Sequence, residues 1–216
     1  MDKQILNALR ATGFLQDIDV LFAELMCRLS GTASGDELFL AAGLASNVTT
    51  DEKHVCLDLG AWAGRHLGSL LPELPGEAAR LRLPALAPWA RKLRAAAAVG
   101  APGDYKPLIL DGRNRLYLYR YWRYETALAT AIRERLAVPA QKIDPAAARG
   151  VLKKYAHGAT ALHRFQQAAA VAALTRFLCV ITGGPGTGKT FTIGVILELL
   201  NACFPGIRVC LCAPTG

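Results

Sequence analysis

The chain has 216 residues, 52% of them hydrophobic, and a formal net charge of +8 from 25 Lys and Arg against 17 Asp and Glu. That length holds one large core or two small ones, and the basic excess favours a polyanionic partner only weakly, since solubility charge looks the same. No uncharged apolar run reaches the roughly 18 residues of a membrane helix, and Met1-Asp2-Lys3-Gln4 leads into an amphipathic segment rather than an apolar signal core. A cytoplasmic protein with no membrane partner is therefore expected. Six cysteines are present, Cys27, Cys56, Cys179, Cys203, Cys210 and Cys212, with no C-x-x-C pair and no His at zinc-ligand spacing. They are expected as buried thiols in a reducing compartment.

In chain order, residues 20–29 repeat apolar groups at helical spacing behind Asp17 or Asp19 as caps. Residues 31–35 read as a loop. Further short helices are expected over 36–45 and 53–70, with Thr49-Thr50-Asp51-Glu52 as a helix start between them. Pro72, Pro75, Pro84 and Pro88 argue against a long helix over 71–88. Arg91-Lys92-Leu93-Arg94 reads as the solvated face of a short helix, or a DNA contact. The texture changes near Ala101-Pro102-Gly103-Asp104, and a domain boundary is placed there. Leu108-Ile109-Leu110 and residues 116–122 flank Asp111-Gly112-Arg113-Asn114, which predicts a hairpin. Its alternating Arg and aromatic residues suit strand packing, or a single-strand binding face. Helices follow over 124–138 and 146–155. The four histidines, His54, His66, His157 and His163, have no mutual spacing that suggests a site.

The last fifty residues predict a helix over 165–174, an apolar strand over 177–182, a glycine-rich loop, a helix over 189–201 and a second strand over 207–213. Strand, loop, helix and strand make a βαβ unit, which calls for a parallel sheet. The loop Gly183-Gly184-Pro185-Gly186-Thr187-Gly188-Lys189-Thr190 fits G-x-x-x-x-G-K-[ST] without a mismatch. Glycines let the backbone wrap a phosphate with its N–H groups inward. The helix start adds positive potential. Lys189 reaches the outer phosphates as a point charge, and Thr190 offers a hydroxyl to magnesium. ATP and Mg2+ are the expected ligands, and Lys189 and Thr190 the residues that act on them.

Two flanking features narrow the choice. Gln166 lies one helix upstream, and its amide donates and accepts together, which suits the N6 and N7 edge of adenine; a solvated surface glutamine is the plain alternative. Ala213-Pro214-Thr215-Gly216 follows the second strand, where α/β sheets present ligand loops. Thr215 there suits a nucleic-acid phosphate, or the turn is a simple connection.

Together, Phe165-Gln166-Gln167-Ala168-Ala169-Ala170-Val171, the loop and Ala213-Pro214-Thr215-Gly216 resemble superfamily 1 DNA helicases, and among them the RecD family, the alpha subunits of bacterial exodeoxyribonuclease V. Upstream, Gly13-Phe14-Leu15, Leu110-Asp111-Gly112, Leu116-Tyr117-Leu118 and Tyr121-Trp122 with Glu125 extend the likeness. The resemblance implies an α/β chain with a small N-terminal helical domain over 1–104, which docks on partner subunits. Residues 105–216 would begin a RecA-like, parallel-sheet motor domain that is truncated. It implies an ATP-driven helicase moving 5′ to 3′ on single-stranded DNA, working with RecB-like and RecC-like subunits in double-strand break repair and recombination. It casts Gln166 as the adenine contact, Gly183, Gly184, Pro185, Gly186, Thr187, Gly188, Lys189 and Thr190 as the phosphate and magnesium site, and Thr215 as a DNA contact.

The sequence departs from that pattern in one respect. No Asp-Glu pair follows the loop, and no lysine follows Ala213-Pro214-Thr215-Gly216, so nucleotide binding without hydrolysis or unwinding is expected, as is exposure of the strand over 209–213. The alternatives are a docking module for partner subunits and another P-loop ATPase, of kinase or AAA type.

Overall fold

The computed structural model describes residues 9–11, 13–31, 36–50, 54–72, 74, 76–80, 82–156 and 162–213. It divides into two compact units, Met1–Ala127 and Leu128–Gly216. The boundary expected at residue 104 lies between two paired strands of the first unit.

The first unit begins with α1 (Asp17–Ser30) and α2 (Asp36–Thr50). Of the two expected caps of α1, Asp17 is not one, whereas Asp19 takes part in its capping box. Gln16 is the N-cap, and its peptide N–H donates to the Asp19 carboxylate at 3.0 Å. Val20, Ala23 and Met26 turn inward, and α2 is buried from Leu40 to Thr49. Small residues permit that approach: a Cβ at Gly43 would already touch Leu15 Cδ1 at 3.6 Å and Ala23 Cβ at 3.8 Å. The expected helix start at Thr49 and Thr50 is instead the end of α2. The two hydroxyls donate back to helical carbonyls, Thr49 to Ala45 and Thr50 to Ser46, which is the other habit of these residues. Asp51 and Glu52 lie outside the described residues.

The single helix expected over 53–70 is broken into β1 (Leu57–Asp58), α3 (Leu59–Trp62) and α4 (Leu67–Leu70). Asp58 causes the first break: its carboxylate accepts from the Gly60 N–H at 2.9 Å and caps α3. A 3-10 turn (Gly76–Arg80) and α5 (Leu86–Ala95) follow. Trp89 on α5 is fully buried and its indole N–H donates to the Glu37 carbonyl at 3.0 Å. Arg91, Lys92 and Arg94 face solvent as expected, with Lys92 paired to Glu37 and Arg94 to Asn114.

The sheet adds β2 (Val99–Gly100), β3 (Leu108–Leu110) and β4 (Arg115–Leu118), in the order β1-β4-β3-β2. β3 and β4 form the predicted hairpin, with Ile109 opposite Tyr117. β1 joins β4 antiparallel, and β2 joins β3 in parallel. The residue with positive φ in the turn is Asn114, at 60°, rather than Gly112. Asn114 N donates to Asp111 O at 3.2 Å, a turn closed by a left-handed residue.

The second strand was expected to reach Trp122 but ends at Leu118, where α6 (Tyr119–Ala137) begins. Pro107 explains the stop. Its carbonyl accepts from Tyr119 N at 2.9 Å, yet proline has no N–H to return, so the ladder cannot continue. None of the residues of α6 is buried.

The second unit is built on α7 (Pro145–Lys154), α8 (Arg164–Thr175) and α9 (Lys189–Cys203). Ala148, Val151, Leu162, Ala170, Leu174, Val195 and Leu199 form its core. Glu198 on α9 accepts from Lys154 and from the Tyr155 hydroxyl at 2.7 Å, tying α9 to α7. The parallel strands expected over 177–182 and 207–213 are not formed: no described residue of this unit belongs to a strand. A parallel strand exists only by hydrogen bonds to neighbouring strands, and neither segment has such a neighbour. Val180 and Leu211 are consequently 78% and 74% exposed. The cysteines follow suit. All six are free and none is fully buried, and Cys210 and Cys212 are exposed on the second of these segments.

Candidate functional site

The loop 183–188 is held by the helix it precedes. Gly188 is the N-cap of α9 in a left-handed conformation, φ 78°, and Gly186 has φ 75°; both angles favour glycine. Thr187 folds over the loop, its hydroxyl donating to Gly184 O at 2.9 Å. A Cβ at Gly183 would meet that hydroxyl at 2.7 Å, so a larger residue there would have to displace the Thr187 side chain from Gly184. The Lys189 ammonium donates to the carbonyls of Gly183 and Gly184, the latter at 2.7 Å. Thr190, one residue on, is exposed. The first turn of α9 is anchored by Thr192, which is 2% exposed and whose hydroxyl donates to Gly188 O at 3.0 Å.

Gln166, predicted one helix away, comes to this loop. It sits in the first turn of α8, and its Oε1 accepts from the peptide N–H of the N-cap residue His163 at 2.8 Å. Its Nε2 lies 3.4 Å from Thr187 O, and a Cβ at Gly188 would stand 2.7 Å from the same nitrogen. The structure thus brings Gln166, Gly183, Thr187, Gly188 and Lys189 together. His163, Phe165, Gln166, Ile181, Lys189 and Thr192 are among the residues lining a cavity of about 420 Å³, which is within the size range of small-molecule sites. Phe165 is 67% exposed, with the His163 ring 5.5 Å away and the Arg164 guanidinium 4.7 Å above its face.

Thr215 lies outside the described residues, as do Pro214, Gly216 and His157. The sequence reading missed His163, Phe165 and Thr192. The His163-x-x-Gln166 spacing was the available signal, since it is a capping-box spacing at a helix start.

In the other basic and aromatic run, Tyr117 and Arg115 have structural roles, while Arg113, Arg120 and Arg123 are exposed. Tyr117 is fully buried, with its ring 5.0 Å from that of Trp122, and Arg115 is bound by Asp111 at 2.7 Å. Among the described residues no cluster of His, Cys, Asp or Glu is arranged to hold a metal ion, and no helix is long and apolar enough to cross a membrane.

Two family models match the chain. The model of the RecBCD enzyme subunit RecD N-terminal domain matches residues 11–117, and an AAA domain model matches 166–216. The chain is similar to the RecBCD enzyme subunit RecD of Mycobacterium tuberculosis, 32% identical over 98% of this chain and 34% of that protein. It is similar to the same subunit of Mycolicibacterium smegmatis, 35% identical over 75% of this chain and 26% of that protein. An ATP-dependent RecD2 DNA helicase of Deinococcus radiodurans is 39% identical over 49% of this chain and 14% of its own length. The chain spans about a third of the length of the M. tuberculosis relative. With the N-terminal model over 11–117, the AAA domain model over 166–216 and, along 98% of its own length, 32% identity to a RecD subunit, the chain belongs to the RecD family.

Proposed function

We propose that this chain is the ATP-binding front of a DNA helicase subunit that moves 5′ to 3′ on single-stranded DNA in double-strand break repair and recombination. The single observation that carries the reading is the cavity in which Gln166 and the loop 183–190 meet. The residues present fit a nucleoside triphosphate. The loop glycines leave room where side chains would block, the start of α9 and Lys189 supply positive potential, and Gln166 stands beside the loop for the adenine. Thr190 suits magnesium held jointly with the phosphates, because no described protein cluster would hold the ion alone. ATP, when bound, supplies the free energy of phosphoryl transfer. Thr215 is assigned to the DNA backbone.

In this sequence Glu198 is the one carboxylate after Lys189, and it is engaged by Lys154 and Tyr155. No carboxylate of the chain's last part is therefore free to orient an attacking water.

Titration of the purified chain with a fluorescent ATP analogue and magnesium tests this. Saturable binding is expected, and Lys189→Ala is expected to weaken it by about tenfold or more, the worth of a charge-assisted contact to phosphate. Equal binding by both proteins, or no binding by the wild type, would each refute the reading.

A second reading assigns the N-terminal unit to docking on RecB-like and RecC-like subunits. Its specific support is a stripe on α1. Ile18, Leu21, Leu25 and Leu29 recur at helical spacing on the face away from α2, and all four are 43% to 59% exposed. Leu25→Lys in the full chain should abolish co-purification with the RecB-like and RecC-like subunits and leave the melting temperature within a degree or two. Undiminished co-purification would sink it.

A further inference from the structure

The side-chain amide of Gln166 has one acceptor end and one donor end, and a glutamine on a free rotor presents either. Here the two ends are held by backbone groups of opposite kind. The Oε1 end meets the peptide N–H of His163 at 2.8 Å, and the Nε2 end faces the carbonyl of Thr187 at 3.4 Å. Reversing the amide would set NH2 against N–H and oxygen against oxygen. The longer contact adds direction rather than strength, and the short one is the lock. Gly188 leaves room for the amide, since a Cβ there would stand 2.7 Å from Nε2.

We propose that the peptide N–H of His163 determines adenine-over-guanine selectivity at this site, by fixing which end of the Gln166 amide is the acceptor. The inference rests on the nucleotide-binding reading above and deepens it by naming a positioning group. Adenine offers a donor at N6 beside an acceptor at N7, whereas guanine offers two acceptors, O6 and N7. An amide held with its oxygen in place pairs with the first pattern and repels O6. An amide released from His163 turns its NH2 edge toward both guanine acceptors, and the discrimination goes. The oxygen of Gln166 has a second lone pair, and the nitrogen a second hydrogen, so the lock leaves the base-recognising capacity intact.

The assignment separates His163's peptide from its ring. His163 has φ −67°, the angle that proline fixes. His163→Pro therefore removes the N–H at a matched backbone angle, while His163→Ala removes the imidazole and keeps the N–H. Calorimetric titrations with ATP, GTP and inorganic tripolyphosphate, each with magnesium, read the effect in the full chain. The wild type should prefer ATP to GTP by about tenfold, the value of one net hydrogen bond. His163→Ala should keep that ratio. His163→Pro should bring it within about two- to threefold of unity while tripolyphosphate binding stays unchanged. Should His163→Pro fail to melt cooperatively, the α-hydroxy analogue of histidine placed at 163 replaces the N–H by an ester oxygen, and the same loss of preference is expected.

Retention of the wild-type ratio in the N–H-deleted protein would overturn the inference, as would loss of the ratio in His163→Ala. A wild type that binds tripolyphosphate and ATP but shows no preference overturns it and leaves the nucleotide-binding reading standing. Failure to bind any of the three ligands removes both.

Discussion

The first unit of this chain closes its sheet from nearby sequence, and the second does not close one at all. In the first unit, β3 and β4 are joined by the four residues Asp111 to Asn114, and β1 and β2 add to their edges from within the same unit. Leu57, Leu108, Leu110 and Leu116 are buried as a result. In the second, residues 177–182 and 207–213 have the apolar content of strands, yet Val180 and Leu211 stand mostly in solvent. In the first unit even the parallel β2–β3 pair is separated only by residues 101–107, whereas the segments 177–182 and 207–213 of the second are parted by the loop and α9 and have, among the described residues, no third strand to join. What remains in the second unit is a helical frame, α7, α8 and α9, and it suffices to hold the loop 183–188 and Gln166 in place. The site depends on helix starts, which are local, and not on the sheet.

This comparison predicts that damage to the first unit's core stays there. Trp89 is the largest of the fully buried side chains, and Trp89→Ala should cost about 3–5 kcal/mol. That is enough to unfold a unit of ordinary marginal stability. Binding of the fluorescent ATP analogue should survive, with the near-ultraviolet signal of the first unit lost and the analogue's affinity within about twofold of wild type. Parallel loss of both signals would break the comparison, because it would make the two units one cooperative block.

The same contrast governs what could be read from the sequence. The loop 183–190 was legible because each of its residues answers a local demand of backbone angle, space or charge. Gln166 was legible as a candidate, but its approach to Thr187 and Gly188 comes from the packing of α8 on α9 through Ala170 and Leu199, which no spacing discloses. The hairpin at Asp111 was read correctly and its far end was not. Residues 119–122 have strand-forming side chains, and the deciding residue, Pro107, sits on the other strand. The strands of the second unit were overcalled for a related reason. Apolar content is local, but a strand is a relation between segments.

A smaller effect sharpens the comparison through acid stability. Asp111 in the first unit is 7% exposed at its side chain and sits at the hairpin turn. Burial pulls its carboxyl upward, but the peptide N–H and guanidinium of Arg115 and the peptide N–H of Arg113 outweigh that and hold its pKa below the usual carboxylate value. The unfolded chain therefore takes up the proton first. The stabilisation is complete above the unfolded carboxylate pKa and is lost as pH falls through the folded one. Glu198 in the second unit is also lowered, by hydrogen bonds from Lys154 and then Tyr155, but the Lys154 side chain is 63% exposed and solvent screens the pair. Asp111→Asn should thus cost about 1.5–3 kcal/mol at neutral pH, the range for hydrogen bonds to a charged group. It should also flatten the acid limb of the first unit's unfolding curve, followed by the fluorescence of Trp62, Trp89 and Trp122, which all lie in that unit. Glu198→Gln should leave that limb where it is. An acid limb that moves with Glu198 and ignores Asp111 would mean that the second unit, and not the closed sheet, sets the chain's acid stability, and the ranking of the two units by how fully each satisfies its own polar groups would be reversed.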